Sequence, residues 1–219
     1  MIKLEGVSKS YQKKRIFSNI HMEIKRGELT IVCGKSGIGK TTLLEMLAGL
    51  RGLDTGRYLY CEQNVPFDDD EKMSAFRNAH IGYMVQDFAL IEDYTVLENL
   101  LLPSLYSKTH SREQVEVKAM ELANRFDVME ILDEKVKNIS GGQKQRISLI
   151  RSLILNPAII LADEPTSNLD SENFHLVVNL FQELRNEGKI ILISTHDERL
   201  FEVADTLYCI KNEQLDKIR

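Results

Sequence analysis

The chain has 219 residues, 28 lysines and arginines against 33 aspartates and glutamates, a formal net charge of −5 and 43% hydrophobic residues. That length and hydrophobic share support one sizeable core. The mild acidity withholds the basic field that duplex-binding proteins use, and no apolar run approaches a membrane span, which argues against nucleic-acid partners and a membrane-spanning subunit.

The opening residues Met1-Ile2-Lys3-Leu4-Glu5 lack the apolar centre of a secretory signal, so a cytosolic chain is expected. Residues 2–7 and 20–24 are strand-like, and Lys25-Arg26-Gly27-Glu28 reads as a turn. The apolar stretch Leu29-Thr30-Ile31-Val32-Cys33 then runs into Gly34-Lys35-Ser36-Gly37-Ile38-Gly39-Lys40-Thr41-Thr42, and a helix-forming stretch follows at 43–48. This is G-x-x-x-x-G-K-T in a strand-loop-helix setting, the pattern of nucleoside triphosphate binding. Its glycines let backbone N–H groups turn inward around phosphate at a helix N-terminus. Lys40 is placed to reach the β- and γ-phosphates, and the Thr41 hydroxyl to hold Mg²⁺.

Residues 53–57 read as a turn and 58–61 as a strand, while Asp68-Asp69-Asp70-Glu71 is either a solvated loop or a helix start. A strand at 81–85 ends at Gln86. From about 87 to 156 the periodicity is helical, with Ser111-Arg112-Glu113-Gln114 as a capping box and Val115, Ala119, Leu122, Ala123 and Phe126 on one apolar face. Ile139-Ser140-Gly141-Gly142-Gln143 precedes another helical stretch and forms a second phosphate-binding geometry. One chain rarely needs two cradles for one nucleotide, so the second is expected to serve the nucleotide of another copy in a head-to-tail pair.

The run 158–162 is continuously apolar, as in a strand buried on both faces of a parallel sheet, and delivers Asp163 and Glu164 at its end. Neighbouring strand residues face opposite ways, so the two acids take different roles: Asp163 toward Mg²⁺ and Glu164 toward the attacking water. A further buried-type strand at 189–195 ends at His196. Cys33, Cys61 and Cys209 have no metal-site spacing and are expected to be reduced packing residues.

With these motifs in this order, the chain resembles the ATP-binding cassette family from Met1 to about residue 210. The family signature is Leu-Ser-Gly-Gly-Gln, and Ile139 here replaces the leucine. The resemblance implies an α/β fold: a phosphate-loop NTPase (RecA-like) core with an N-terminal antiparallel β-subdomain and an inserted α-helical subdomain. It further implies a single ATPase domain over 1–219, with β-subdomain and core at about 1–86 and 157–219 and helical subdomain at about 87–156. Gln86 matches the glutamine that contacts Mg²⁺ and water, His196 the histidine that senses γ-phosphate, and Tyr11 the aromatic that stacks on adenine. The stretch Pro165-Thr166-Ser167-Asn168-Leu169-Asp170 matches the loop in which Asp170 touches the partner copy. ATP and Mg²⁺ are the implied cofactors.

The partners implied are a second copy in the ATP-bound state and an integral-membrane permease, with the chain cytoplasmic and peripheral on the inner face of the cell membrane. Phe88, Leu90, Thr95, Glu98, Asn99, Pro103 and Tyr106 resemble the branch of lipoprotein-release, macrolide-export and cell-division cassettes. That branch points to a mechanotransmitting permease for export or extraction of a peptide, lipoprotein or antimicrobial. The alternative is an ATPase that drives a regulatory permease in peptide sensing or activation of a cell-wall hydrolase.

Overall fold

A computed structural model describes the chain apart from Lys13 and Asn168, and for Glu172 the backbone only. Asn168, expected in the loop facing a partner copy, therefore lies outside the described residues.

Strands β1 (Ile2–Tyr11) and β2 (Lys14–Ile24) pair antiparallel with Ile2 opposite Ile24 and Leu4 opposite Met22. Alternation buries Ile20, Met22 and Ile24 and turns His21 and Glu23 outward. β4 (Thr55–Tyr60) and β5 (Gln63–Asn64) extend this sheet in the order β2-β1-β4-β5. The second sheet runs β10-β9-β3-β8-β7-β6, from β3 (Glu28–Cys33), β6 (Ile81–Met84), β7 (Ile159–Asp163), β8 (Ile190–Ser194), β9 (Thr206–Lys211) and β10 (Gln214–Lys217). All its pairs are parallel except β9 with β10.

Both faces of this parallel sheet are covered, so successive residues of one strand feed different cores. Ile159 and Leu161 pack with β1, β2 and helix α1 (Lys40–Leu47). Ile160 and Ala162 pack with α3 (Val96–Leu101), α4 (Arg112–Arg125), α5 (Gly141–Leu153) and α6 (Ser171–Asn186). This is the α/β architecture expected, with the Leu29–Cys33 strand at the heart of the parallel sheet.

The acidic run opens a helix, α2 (Asp70–His80), whose N-cap Asp69 accepts the Lys72 N–H at 3.0 Å. The capping box at Ser111 forms as read: its hydroxyl accepts from Gln114 N–H at 3.3 Å, and Gln114 accepts from Ser111 N–H at 2.9 Å.

The cysteines require a correction. Cys33 and Cys209 are disulfide-bonded and not reduced; they are register partners across parallel β3 and β9, with Cα atoms 4.7 Å apart. They lie 176 residues apart in sequence, so only strand order reveals the pairing. Cys61 is free and exposed.

Gly82 lets α5 sit directly on β6. A Cβ there would lie 2.0 Å from the Ser152 carbonyl oxygen, a backbone atom that cannot swing aside. Gly82→Ala is therefore expected to cost about 3 kcal/mol, read as a lower denaturant midpoint with unchanged slope.

Candidate functional site

Three neighbouring strand ends build the site. β3, β8 and β7 lie side by side and parallel, so the residues after Cys33, Ser194 and Asp163 emerge together at the carboxyl edge of the sheet. They surround a cleft of about 500 Å³ lined by Tyr11, Ile16, Gly34, Lys35, Ser36, Gly37, Gly39, Lys40, Thr41, Thr42, Gln86, Asp163, Glu164, Ser167 and His196. Most of the residues expected around one triphosphate thus meet in one place, although they come from separate stretches of chain.

The loop after β3 curls tightly. Gly39, the N-cap of α1, has φ 121°, and a Cβ on it would stand 2.7 Å from Ile16 Cγ2. Lys40 is buried, and its Nζ donates to the Gly34 carbonyl at 2.9 Å and approaches Glu164 Oε1 at 3.7 Å. Ile38 is beside Gly34 and does not line the cleft.

The acid pair is held from two sides. Asp163 accepts the Thr41 hydroxyl on Oδ2 at 2.6 Å and the Ser194 hydroxyl on Oδ1. Glu164 accepts the Thr195 hydroxyl on Oε2 at 3.0 Å, and its Oε1 lies 2.8 Å from His196 Nδ1. Its φ of 51° is left-handed, a conformation that carries a backbone cost of about 1 kcal/mol and concentrates at functional sites. The Glu164 N–H donates to the Ser194 carbonyl at 2.9 Å, which secures that turn. Burial pushes the Tyr83 phenol up, with the nearby Asp163 and Glu45 carboxylates adding to the effect. The Arg199 guanidinium beside Asp197 holds that carboxyl below its usual range.

For magnesium, the donor set is suitable: a threonine hydroxyl and a carboxylate already within hydrogen-bond distance, an amide from Gln86 on the same cleft, and room for phosphate oxygens. Such hard oxygen donors, few in number and supplemented by phosphate, are what Mg²⁺ takes. Tyr11 lies at the cleft with the Arg51 guanidinium 5.1 Å and the Lys9 ammonium 5.8 Å from its ring centroid. Its hydroxyl is buried and has no hydrogen-bond partner among the described residues.

Residues 140–143 do not line this cleft, nor does Asp170. Ser140 caps α5: its hydroxyl accepts from Gln143 N–H at 3.3 Å, while Gln143 Oε1 accepts from Ser140 N–H at 2.8 Å. A hydroxyl that accepts still has its own proton to donate, so the cap leaves Ser140 able to bond an external oxygen. Among the described residues, and apart from their chain neighbours and the backbone of α5 itself, nothing comes within 4 Å of a Cβ built on Gly141 or Gly142. Asp170 is the N-cap of α6 and accepts the Asn173 N–H at 2.8 Å.

Sequence reasoning missed three contributors to the cleft. Ile16 and Ser167 line it, and Thr195 bonds Glu164. For Thr195 the signal existed only in register: Ser194 is the strand partner of Asp163, so the residue after each is also a neighbour.

Residues 17–167 match the model of the ABC transporter family. The lipoprotein-releasing system ATP-binding protein LolD of Bacteroides fragilis (strain YCH46) is 40% identical over 206 residues, 94% of this chain and 95% of that protein. The protein of the same name from Buchnera aphidicola is 34% identical over 220 residues, covering 98% and 96%. A dimeric structure of MJ0796, a bacterial ABC transporter cassette, superposes with a TM-score of 0.92 at 32% identity, over all of this chain and 99% of that one. A post-hydrolysis dimer of MJ0796 bound to ADP and Pi gives 0.91 at 29% identity, again over all of this chain and 99% of the other. On the strength of these matches, the chain belongs to the ABC transporter family and is its ATP-hydrolysing cassette.

Proposed function

We propose that two copies of this cassette close head to tail on two ATP molecules and drive a membrane permease of the lipoprotein-releasing type. The observation that carries the head-to-tail reading is the placement of the second cradle. Residues 140–143 stand away from the chain's own cleft, with glycines facing open space, so the nucleotide they fit belongs to another copy. Contacts from that cradle to γ-phosphate exist only in the closed pair, so ATP favours closure by differential affinity. In this reading the chain is one domain, with residues 87–156 as the helical subdomain that transmits closure to the permease.

Within each cleft, backbone N–H groups of residues 34–39 and the Lys40 ammonium hold the phosphates. Thr41, Asp163 and Gln86 would hold Mg²⁺, which supplies charge neutralisation on the transferring phosphoryl group when bound. Glu164 orients and polarises water, His196 contacts the γ-phosphate, Tyr11 stacks on adenine and Asp170 touches the partner copy.

The permease assignment draws on the lipoprotein-releasing relatives and on an exposed groove where α2, the start of β6, residues 103–106 and the end of α5 meet. A groove of about 320 Å³ lies among Arg77, Tyr83, Pro103, Tyr106, Arg151 and Leu155; Tyr106, which lines it, is 77% exposed, and its chain neighbour Leu105 is 64% exposed. Aromatic and aliphatic side chains left out beside a groove suit a partner helix. Among the described residues no helix is long and apolar enough to cross a membrane. A peripheral position on the inner face of the cell membrane fits this reading.

The test is capture of the Glu164→Gln variant from membranes in the presence of ATP, with mass spectrometry of what co-purifies. A permease with few transmembrane helices and a large extracytoplasmic domain is expected; a multi-helix channel would overturn the branch. Tyr106→Ala should lower the permease yield about tenfold while ATP binding stays unchanged.

A further inference from the structure

We infer that Thr195 is a positioning residue for Glu164, anchoring one carboxylate oxygen so that the other faces the reacting water. The inference rests on the role proposed above for Glu164.

The arrangement follows from strand register. β7 and β8 run parallel with Asp163 opposite Ser194, and side chains alternate along a strand. The pair Ser194-Thr195 therefore faces the pair Asp163-Glu164 residue by residue, and each hydroxyl donates to one acid. Both hydroxyl residues are fully buried, so water does not compete for these bonds.

The direction of the Thr195 proton is determined. Its oxygen accepts the Asp197 N–H at 3.0 Å, and a hydroxyl has a single proton, which is then directed at Glu164 Oε2 at 3.0 Å. Asp197 is itself immobilised by Arg199, at 2.7 Å, and by the Thr166 hydroxyl, at 3.2 Å. A β-branched residue also has few χ1 choices, so the donor stays where it is. Glu164 Oε1 is left on the cleft side, near His196 and Lys40. Without the Thr195 hydroxyl, Oε2 would keep, among the described residues, only the His196 N–H at 3.4 Å, in a side chain that is 9% exposed.

Thr195→Val removes the hydroxyl at nearly constant volume, Thr195→Ala removes it with room to spare, and Thr195→Ser keeps it. ATPase kinetics, binding of a fluorescent ATP analogue and ATP-dependent dimer lifetime by size-exclusion chromatography are measured for all three and for Glu164→Gln. The valine and alanine variants are expected to lose about tenfold or more in kcat with unchanged KM and nucleotide affinity. Their ATP-bound dimers should live longer, and serine should restore both readouts. Wild-type turnover in Thr195→Val or Thr195→Ala, or a serine variant as impaired as they are, overturns the inference while Glu164→Gln remains inactive. Normal turnover in Glu164→Gln would instead remove the role of Glu164 on which the inference stands.

Discussion

Glu164→Gln is expected to bind ATP as the wild type does, to accumulate as an ATP-bound dimer and to hydrolyse about 10²–10⁴ times more slowly. The substitution is nearly isosteric, so the Thr195 hydroxyl keeps an oxygen to donate to and the left-handed turn at residue 164 is undisturbed. What disappears is the capacity to accept a proton from water. In the proposed mechanism binding depends on Lys40 and the loop amides, which the change leaves in place. Phosphate release measures the turnover and size-exclusion chromatography with and without ATP measures the trapped pair. Turnover near the wild-type rate would contradict the role given to Glu164.

Gly142→Ala is expected to act in opposite directions on stability and on function. The glycine stands in the first turn of α5, where no other element among the described residues comes within 4 Å of a Cβ, and its backbone is not in the left-handed region. The isolated chain should therefore gain up to about 1 kcal/mol from reduced backbone entropy in the unfolded state. If residues 140–143 close over a nucleotide on another copy, the added methyl stands between backbone N–H groups and phosphate. ATP-driven dimerisation should then be lost and ATPase activity fall at least tenfold, in line with the sensitivity of catalysis to small displacements. Chemical denaturation and analytical ultracentrifugation with ATP measure the two effects. A variant that is more stable and still dimerises would refute the second cradle.

These two glycine positions show why some features are readable in sequence and others are not. Gly82 and Gly142 are the same residue type in unremarkable backbone, yet one is required by a helix of its own chain at 2.0 Å and the other meets no neighbouring element among the described residues. Local sequence does not distinguish them, because the difference lies in what packs from elsewhere. The start of α2 after its N-cap Asp69 was legible only as one of two alternatives, since an acidic run solvates a loop as well as it caps a helix.

By itself the sequence determined what depends on short-range pattern. The phosphate loop, the capping box at Ser111, the double-sided burial of 159–162 and the acid pair at its end are all written in contiguous residues, whose spacing sets which way each side chain and amide points. Only the tertiary structure decided which strand lies next to which. That order brings Thr195 to Glu164, 31 residues away, and Ser194 to Asp163, and it pairs Cys33 with Cys209. Parallel neighbours are joined by long crossovers, so their register follows from the packing of whole helices on the sheet and leaves no local mark in the chain.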